Sequence, residues 1–75
     1  MYTIYTKTNC SYCVKAKQLL TSKGLQYLEK NIEDPDLKAE LFTRYPEAKT
    51  VPQIYLYSAH LGGYDDLVRY FEQTL

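Results

Sequence analysis

This 75-residue sequence predicts an α/β fold, a four-stranded mixed sheet flanked by three helices. Three observations carry that expectation. Short β-branched or aromatic runs alternate with amphipathic helical runs in the order β-α-β-α-β-β-α. The helical runs bring their own start and stop residues. The two cysteines of the chain, Cys10 and Cys13, fall where the first strand-like run hands over to the first helical one.

The elements follow in order. Residues 1–6 contain Tyr2-Thr3-Ile4-Tyr5, aromatic and β-branched, and read as a strand. A helix is expected from residue 12 or 13 to residue 23, burying Ala16, Leu19 and Leu20 and leaving Lys15, Lys17 and Lys23 toward water, with Gly24 as its stop. Residues 26–32 set Tyr27, Glu29 and Asn31 against Leu28, Lys30 and Ile32, a mixed alternation read as a strand. Asp34 caps a second helix with Pro35 at its first position; Leu37, Leu41, Phe42 and Tyr45 form its core stripe, and Pro46 ends it. Residues 53–57 read as a strand, 58–60 as a turn and 61–62 as a short partner strand. A last helix over residues 65–75 shows Leu67, Val68, Phe71 and Leu75 to the core. The first crossover between parallel strands is expected to be right-handed.

Composition narrows the function classes. Residues 1–75 are sized for one domain with one core, and 45% hydrophobic residues suffice to build it. Nine basic residues balance nine acidic ones, so no whole-molecule field draws nucleic acid or an anionic membrane. No apolar stretch has the length of a membrane span or of a signal-peptide core. The expected compartment is the cytoplasm, where a C-x-x-C pair is catalytic more often than structural. A disulfide across so short a loop would add only roughly 2 kcal/mol as a staple. Zinc needs four ligands for a closed site, and beyond the cysteines the chain has one histidine, His60, in a polar stretch; no metal site is expected from these residues.

Chemistry is expected at Cys10. A thiol at a helix N-terminus meets unpaired backbone N–H groups and the positive end of the helix dipole, both of which favour thiolate. Cys13, one turn on, can reach the first sulfur, and a C-x-x-C at the first strand-to-helix junction of such a pattern reads as thioredoxin-like. Lowering a thiol from pKa ~8.5 to ~5 raises its thiolate fraction at pH 7 about 30-fold, but a Brønsted slope near 0.45 removes about as much nucleophilicity. The larger gain is in leaving-group ability when another thiol attacks the mixed disulfide.

Three stretches resemble one family. Lys7-Thr8-Asn9-Cys10-Ser11-Tyr12-Cys13, Thr50-Val51-Pro52-Gln53-Ile54 and Leu61-Gly62-Gly63-Tyr64-Asp65-Asp66-Leu67, in this order and spacing, resemble the glutaredoxins, most closely the short dithiol members of bacteria and their phages. The resemblance implies a thioredoxin-like fold and a glutathione-dependent thiol–disulfide oxidoreductase acting on protein disulfides and glutathione mixed disulfides. It assigns Cys10 as nucleophile and Cys13 as resolving thiol. Tyr12 would flank the sulfur, and Pro52 would be the cis-proline that turns the Val51 backbone toward Cys10. Thr50 and Val51 would then meet the peptide-like substrate. The turn at Gly63 and Tyr64, with Asp65 and Asp66, would hold the γ-glutamyl end of glutathione. Lys7, assisted by Lys49, would meet the glycyl carboxylate.

The resemblance further implies a monomer in the cytoplasm, or the host cytoplasm if phage-encoded. Its partners would be glutathione and disulfide-containing or glutathionylated proteins; ribonucleotide reductase is a client by family analogy. Ser11 departs from the proline common in dithiol members. Some members with serine there bridge a [2Fe–2S] cluster between two monomers through the N-terminal cysteine, so a glutathione-ligated cluster scaffold on Cys10 is one alternative. A redoxin recharged by thioredoxin reductase is another, which the Gly63-Tyr64-Asp65-Asp66 turn and Lys7 argue against.

Overall fold

The computed structural model of the chain describes residues 1–73, so the core position expected of Leu75 lies outside the described residues. Its elements are β1 (Tyr2–Thr6), α1 (Ser11–Ser22), β2 (Tyr27–Asn31), α2 (Pro35–Arg44), β3 (Gln53–Leu56), β4 (Ala59–Gly62) and α3 (Tyr64–Gln73), in the expected order. They form one four-stranded mixed sheet in the order β2-β1-β3-β4. β2 runs parallel to β1, and β3 and β4 add antiparallel on the other side. Among the described residues no helix is long and apolar enough to cross a membrane.

The period-two alternation of β1 and β3 sorts the core into two layers. Tyr2, Ile4 and Ile54 pack with Ala16 and Leu20 of α1 and Leu67 of α3. Tyr5 and Tyr55 face the other way and pack with Leu41 of α2 and with Ala48. A fully buried side chain of this size contributes about 1.5–3 kcal/mol, so Ile4, Tyr5, Leu20, Leu41, Ile54 and Leu67 hold most of the fold. The cysteines follow the C-terminal end of β1, at the start of α1.

Local chemistry fixes the element ends. α1 stops in a Schellman motif: the Gly24 amide donates to the Thr21 carbonyl, the Leu25 amide to that of Leu20, and Gly24 takes φ +70°. Asp34 caps α2 by accepting from the Asp36 amide, with Pro35 in the first turn.

Four expectations need correction. α1 begins at Ser11, because the Cys10 carbonyl already accepts from the Val14 amide and makes Cys10 the cap. α3 begins at Tyr64, because the Asp66 carboxylate holds the Gly63 amide and the Gly63 carbonyl accepts from Leu67. The hairpin turn is Tyr57-Ser58, with Tyr57 at φ +55°, so β4 starts at Ala59 and His60 pairs with Tyr55 instead of lying in a turn. Phe42, expected in the core stripe of α2, stays 37% exposed. It sits 100° around the helix from Leu41, at the rim of the sheet, where it lines a surface pocket with Lys7 and Lys49.

Candidate active site

Asn9, at φ +59°, makes the left-handed step between β1 and α1, a conformation its short polar side chain tolerates. The step puts Cys10 at the cap of α1, where its sulfur does what a serine or aspartate oxygen usually does: it accepts from the Cys13 amide, N to Sγ 3.2 Å. No acidic residue stands in the first turn of α1, and the Cys10 sulfur faces the positive end of the helix. Cys13 lies on the inner face, 1% exposed, while Cys10 is half-buried. The two are joined as a disulfide with Cα atoms 5.2 Å apart. One sulfur is thus open to a partner thiol and its mate is shielded.

Across the cleft the Val51–Pro52 peptide bond is cis, and the Val51 carbonyl oxygen lies 3.7 Å from Cys10 Sγ. A groove of about 270 Å³ opens there, lined by Tyr12, residues 50–52 and residues 63–66. Eight of the ten residues expected to meet glutathione are therefore in one groove; the other two, Lys7 and Lys49, line an adjoining pocket of about 120 Å³ that shares Thr50 and Val51 with it. Lys7 also borders the larger groove of about 550 Å³ on the far side of Cys10 and Cys13. The Thr50-Val51 backbone thus separates a cationic end from the start of α3.

Tyr12 is 54% exposed, its ring 6.0 Å from that of Tyr64, with the Lys15 ammonium 5.1 Å from its centre. At the start of α3 the amides of Tyr64, Asp65 and Asp66 precede the first intrahelical bond. Asp65 and Asp66 differ in role. Asp66 Oδ2 accepts from the Gly63 amide at 3.1 Å and Oδ1 from Arg69 at 2.5 Å, and these two bonds hold its carboxyl below the usual range. Asp65 is exposed and carries no such cap bond. Ser11 is exposed at the first position of α1. Among the described residues no group of three His, Cys, Asp or Glu side chains is placed to hold a metal ion.

The glutaredoxin family model matches residues 2–61, most of the chain. The chain belongs to the glutaredoxin family. It is 48% identical over 65 residues to the glutaredoxin of Pseudomonas aeruginosa, covering 85% of this chain and 76% of that one. It is 45% identical over 64 residues to glutaredoxin 3 of Escherichia coli K12, covering 85% and 77%. The fold superposes on the buckwheat glutaredoxin–glutathione complex with a TM-score of 0.82 at 23% identity, over 97% of this chain and 69% of that one, which shows the shared thioredoxin-like architecture. As a glutaredoxin with its Cys10–Cys13 pair at bonding distance, the protein is a thiol–disulfide oxidoreductase.

Several neighbours of the site carried no sequence signal. Thr8 bonds Glu33 through both its amide and its hydroxyl, which with Asn31 ties the loop before Cys10 to the end of β2. Buried Thr6 and the Lys17 ammonium both donate to Glu29, beside the cysteines. Burial raises the Glu29 pKa, but those two bonds outweigh it and leave the carboxyl below its ordinary value. Gln53 and His60, 2.8 Å apart, lie directly behind the Thr50 turn. The Thr8–Glu33 and Thr6–Glu29 bonds join residues 25 and 23 apart in sequence, so only the folded chain reveals them.

Proposed function

We propose that this glutaredoxin is glutathione-dependent: it reduces protein disulfides and glutathione mixed disulfides, and two glutathione molecules restore its dithiol. The observation that carries this is the groove beside Cys10, cationic at Lys7 and Lys49 on one side of Val51, with helix amides and Asp65 and Asp66 on the other. Glutathione is an extended peptide with a carboxylate at each end and one ammonium. Free amides at a helix start suit the γ-glutamyl carboxylate, an acidic side chain its ammonium, and the lysines the glycyl carboxylate. The Val51 backbone pairs with the extended middle as an added strand would.

The chemistry balances in exchange steps. Cys10 thiolate attacks a sulfur of the substrate disulfide, forming a mixed disulfide and releasing the first substrate thiol. Cys13 gives up its proton and attacks Cys10 Sγ, closing Cys10–Cys13 and releasing the second substrate thiol. One glutathione thiolate then attacks Cys10 Sγ and frees Cys13. A second attacks the glutathione sulfur, yielding oxidised glutathione and Cys10 thiolate. In sum, one disulfide and two glutathiones give two thiols and one glutathione disulfide.

The helix N-terminus and the Cys13 amide stabilise the negative charge each time Cys10 is the leaving thiolate. The test is turnover of a small mixed disulfide with glutathione, glutathione reductase and NADPH, against the same protein supplied with thioredoxin reductase. Saturable activity in the first system and none in the second is expected. The reverse would overturn the reading.

A further inference from the structure

Among the described residues two polar side chains are buried, Thr6 and Gln53. A buried amide costs free energy unless each of its groups is bonded, so its presence asks for a reason. Gln53 follows Pro52, opens β3 and is 5% exposed. Its Nε2 donates back to the Thr50 carbonyl at 2.9 Å and lies 3.5 Å from the Thr50 hydroxyl. Because the amide nitrogen is spent on Thr50, Oε1 is left as the acceptor, and His60 Nε2–H donates to it at 2.8 Å. His60 is held in turn: its ring stacks on Tyr55 at 4.6 Å and 20°, and Arg44 lies 3.8 Å from the Tyr55 ring centre.

We infer that Gln53 and His60 are positioning residues for substrate. They form a relay from β4 that fixes the Thr50-Val51-Pro52 turn, and with it the Val51 backbone groups facing the groove. This rests on the reading of that groove as the glutathione site. The relay touches no reacting atom. It acts by holding the Thr50 carbonyl, so that Val51 is already oriented when an extended peptide arrives and less ordering remains to oppose binding. An apolar side chain at residue 53 would fill the same space and leave the Thr50 carbonyl without its donor. β3 would persist, since its ladder bonds come from the backbone, but the turn ahead of it would lose its tie.

Three variants separate positioning from stability. Gln53→Leu removes both bonds. Gln53→Glu keeps an acceptor for His60 but cannot donate to Thr50. His60→Phe keeps the ring on Tyr55 and removes only the bond to Gln53. The readouts are KM for glutathione, kcat, thermal midpoint and the rate at which dithiothreitol, which does not use the groove, reduces the Cys10–Cys13 disulfide.

Loss of one such bond corresponds to about a 3- to 10-fold rise in KM. That rise is expected in both Gln53 variants, with a smaller one in His60→Phe and an unchanged dithiothreitol rate in all three. Unchanged KM in Gln53→Glu and His60→Phe, whatever their melting temperatures, would overturn the relay. If the wild-type protein itself does not saturate with glutathione, the functional reading fails instead, and the two failures are distinct. Should Gln53→Leu not fold, the other two variants still decide.

Discussion

Cys10 does two jobs that mutation can separate. As the cap of α1 its sulfur accepts the Cys13 amide, and serine caps helices at least as well, so Cys10→Ser is expected to fold with the stability of the reduced protein while losing all exchange activity. Cys13 is buried, and serine there places a hydroxyl in its apolar site at a cost of about 1–2 kcal/mol. Cys13→Ser is nevertheless expected to keep removing glutathione from a glutathionylated substrate, which needs one thiol, and to lose reduction of protein disulfides, which needs two. Coupled assays on both substrate types check the pair; the opposite pattern would reverse the nucleophile assignment. A third residue pays for the hairpin: Tyr57 stands at φ +55° with 74% of its surface exposed, so its ring gains little packing while its backbone is strained. Tyr57→Gly should raise the urea unfolding free energy by about 0.5–1 kcal/mol, since Arg44 still donates to the residue-57 carbonyl.

At the start of α3, neighbouring carboxylates make different predictions. Asp66 accepts the Gly63 amide, so Asp66→Ala should cost about 1 kcal/mol of stability as well as raising KM for glutathione about 5- to 30-fold. Asp65 has no cap bond, so Asp65→Ala should leave stability within about 0.5 kcal/mol, and any rise in KM then reports the ligand alone. Thermal melts beside glutathione kinetics separate the two. Gly62 is constrained by the same element: at φ +111° an added Cβ would run into the Asp66 carboxylate. Elements with local signals were legible from the residues alone. Gly24, Asp34 and Pro35 announced ends that the structure keeps, because capping bonds reach only two to five residues. The β3–β4 turn was misplaced because Tyr57 occupies a position where glycine or asparagine would have signalled the positive φ. Phe42 fell outside the core because periodicity says which face is apolar, not how wide the sheet beneath it is.

The whole molecule shows why the site was only partly legible. Cys10 and Cys13 are a local motif, whereas the groove needs Tyr12, Val51 and Gly63 brought together by three different strand-to-helix or helix-to-strand connections, and only the family resemblance anticipated that meeting. Gln53 stands in the Thr50–Ile54 stretch that carries the resemblance, but its bond to His60 crosses the β3–β4 ladder and answers to no local pattern. The same histidine, exposed on β4 yet partly desolvated against its neighbours, gives the molecule a pH dependence in two stages. Burial holds the His60 pKa below its ordinary 6.5, with Arg44 pushing the same way and the Asp66 charge opposing. The unfolded chain therefore binds the extra proton first, so this contribution to stability is complete above pH 6.5 and is lost as pH falls through the histidine range. The carboxyls follow lower down. Asp66, held by the Gly63 amide and Arg69, and Glu40, held by Lys30 and Tyr5, titrate below their ordinary values of 3.8 and 4.5, so their contribution is present above those values and lost as pH falls past them. Urea midpoints of the oxidised protein are expected to be flat from pH 8 to 7, to fall modestly as pH drops below about 6.5, and to fall steeply below about pH 4.5. In His60→Phe the first decline should vanish while the second remains, because an apolar ring on Tyr55 takes up no proton and the carboxyl bonds at Asp66 and Glu40 are untouched. A first decline that survives the substitution would place the titrating group elsewhere.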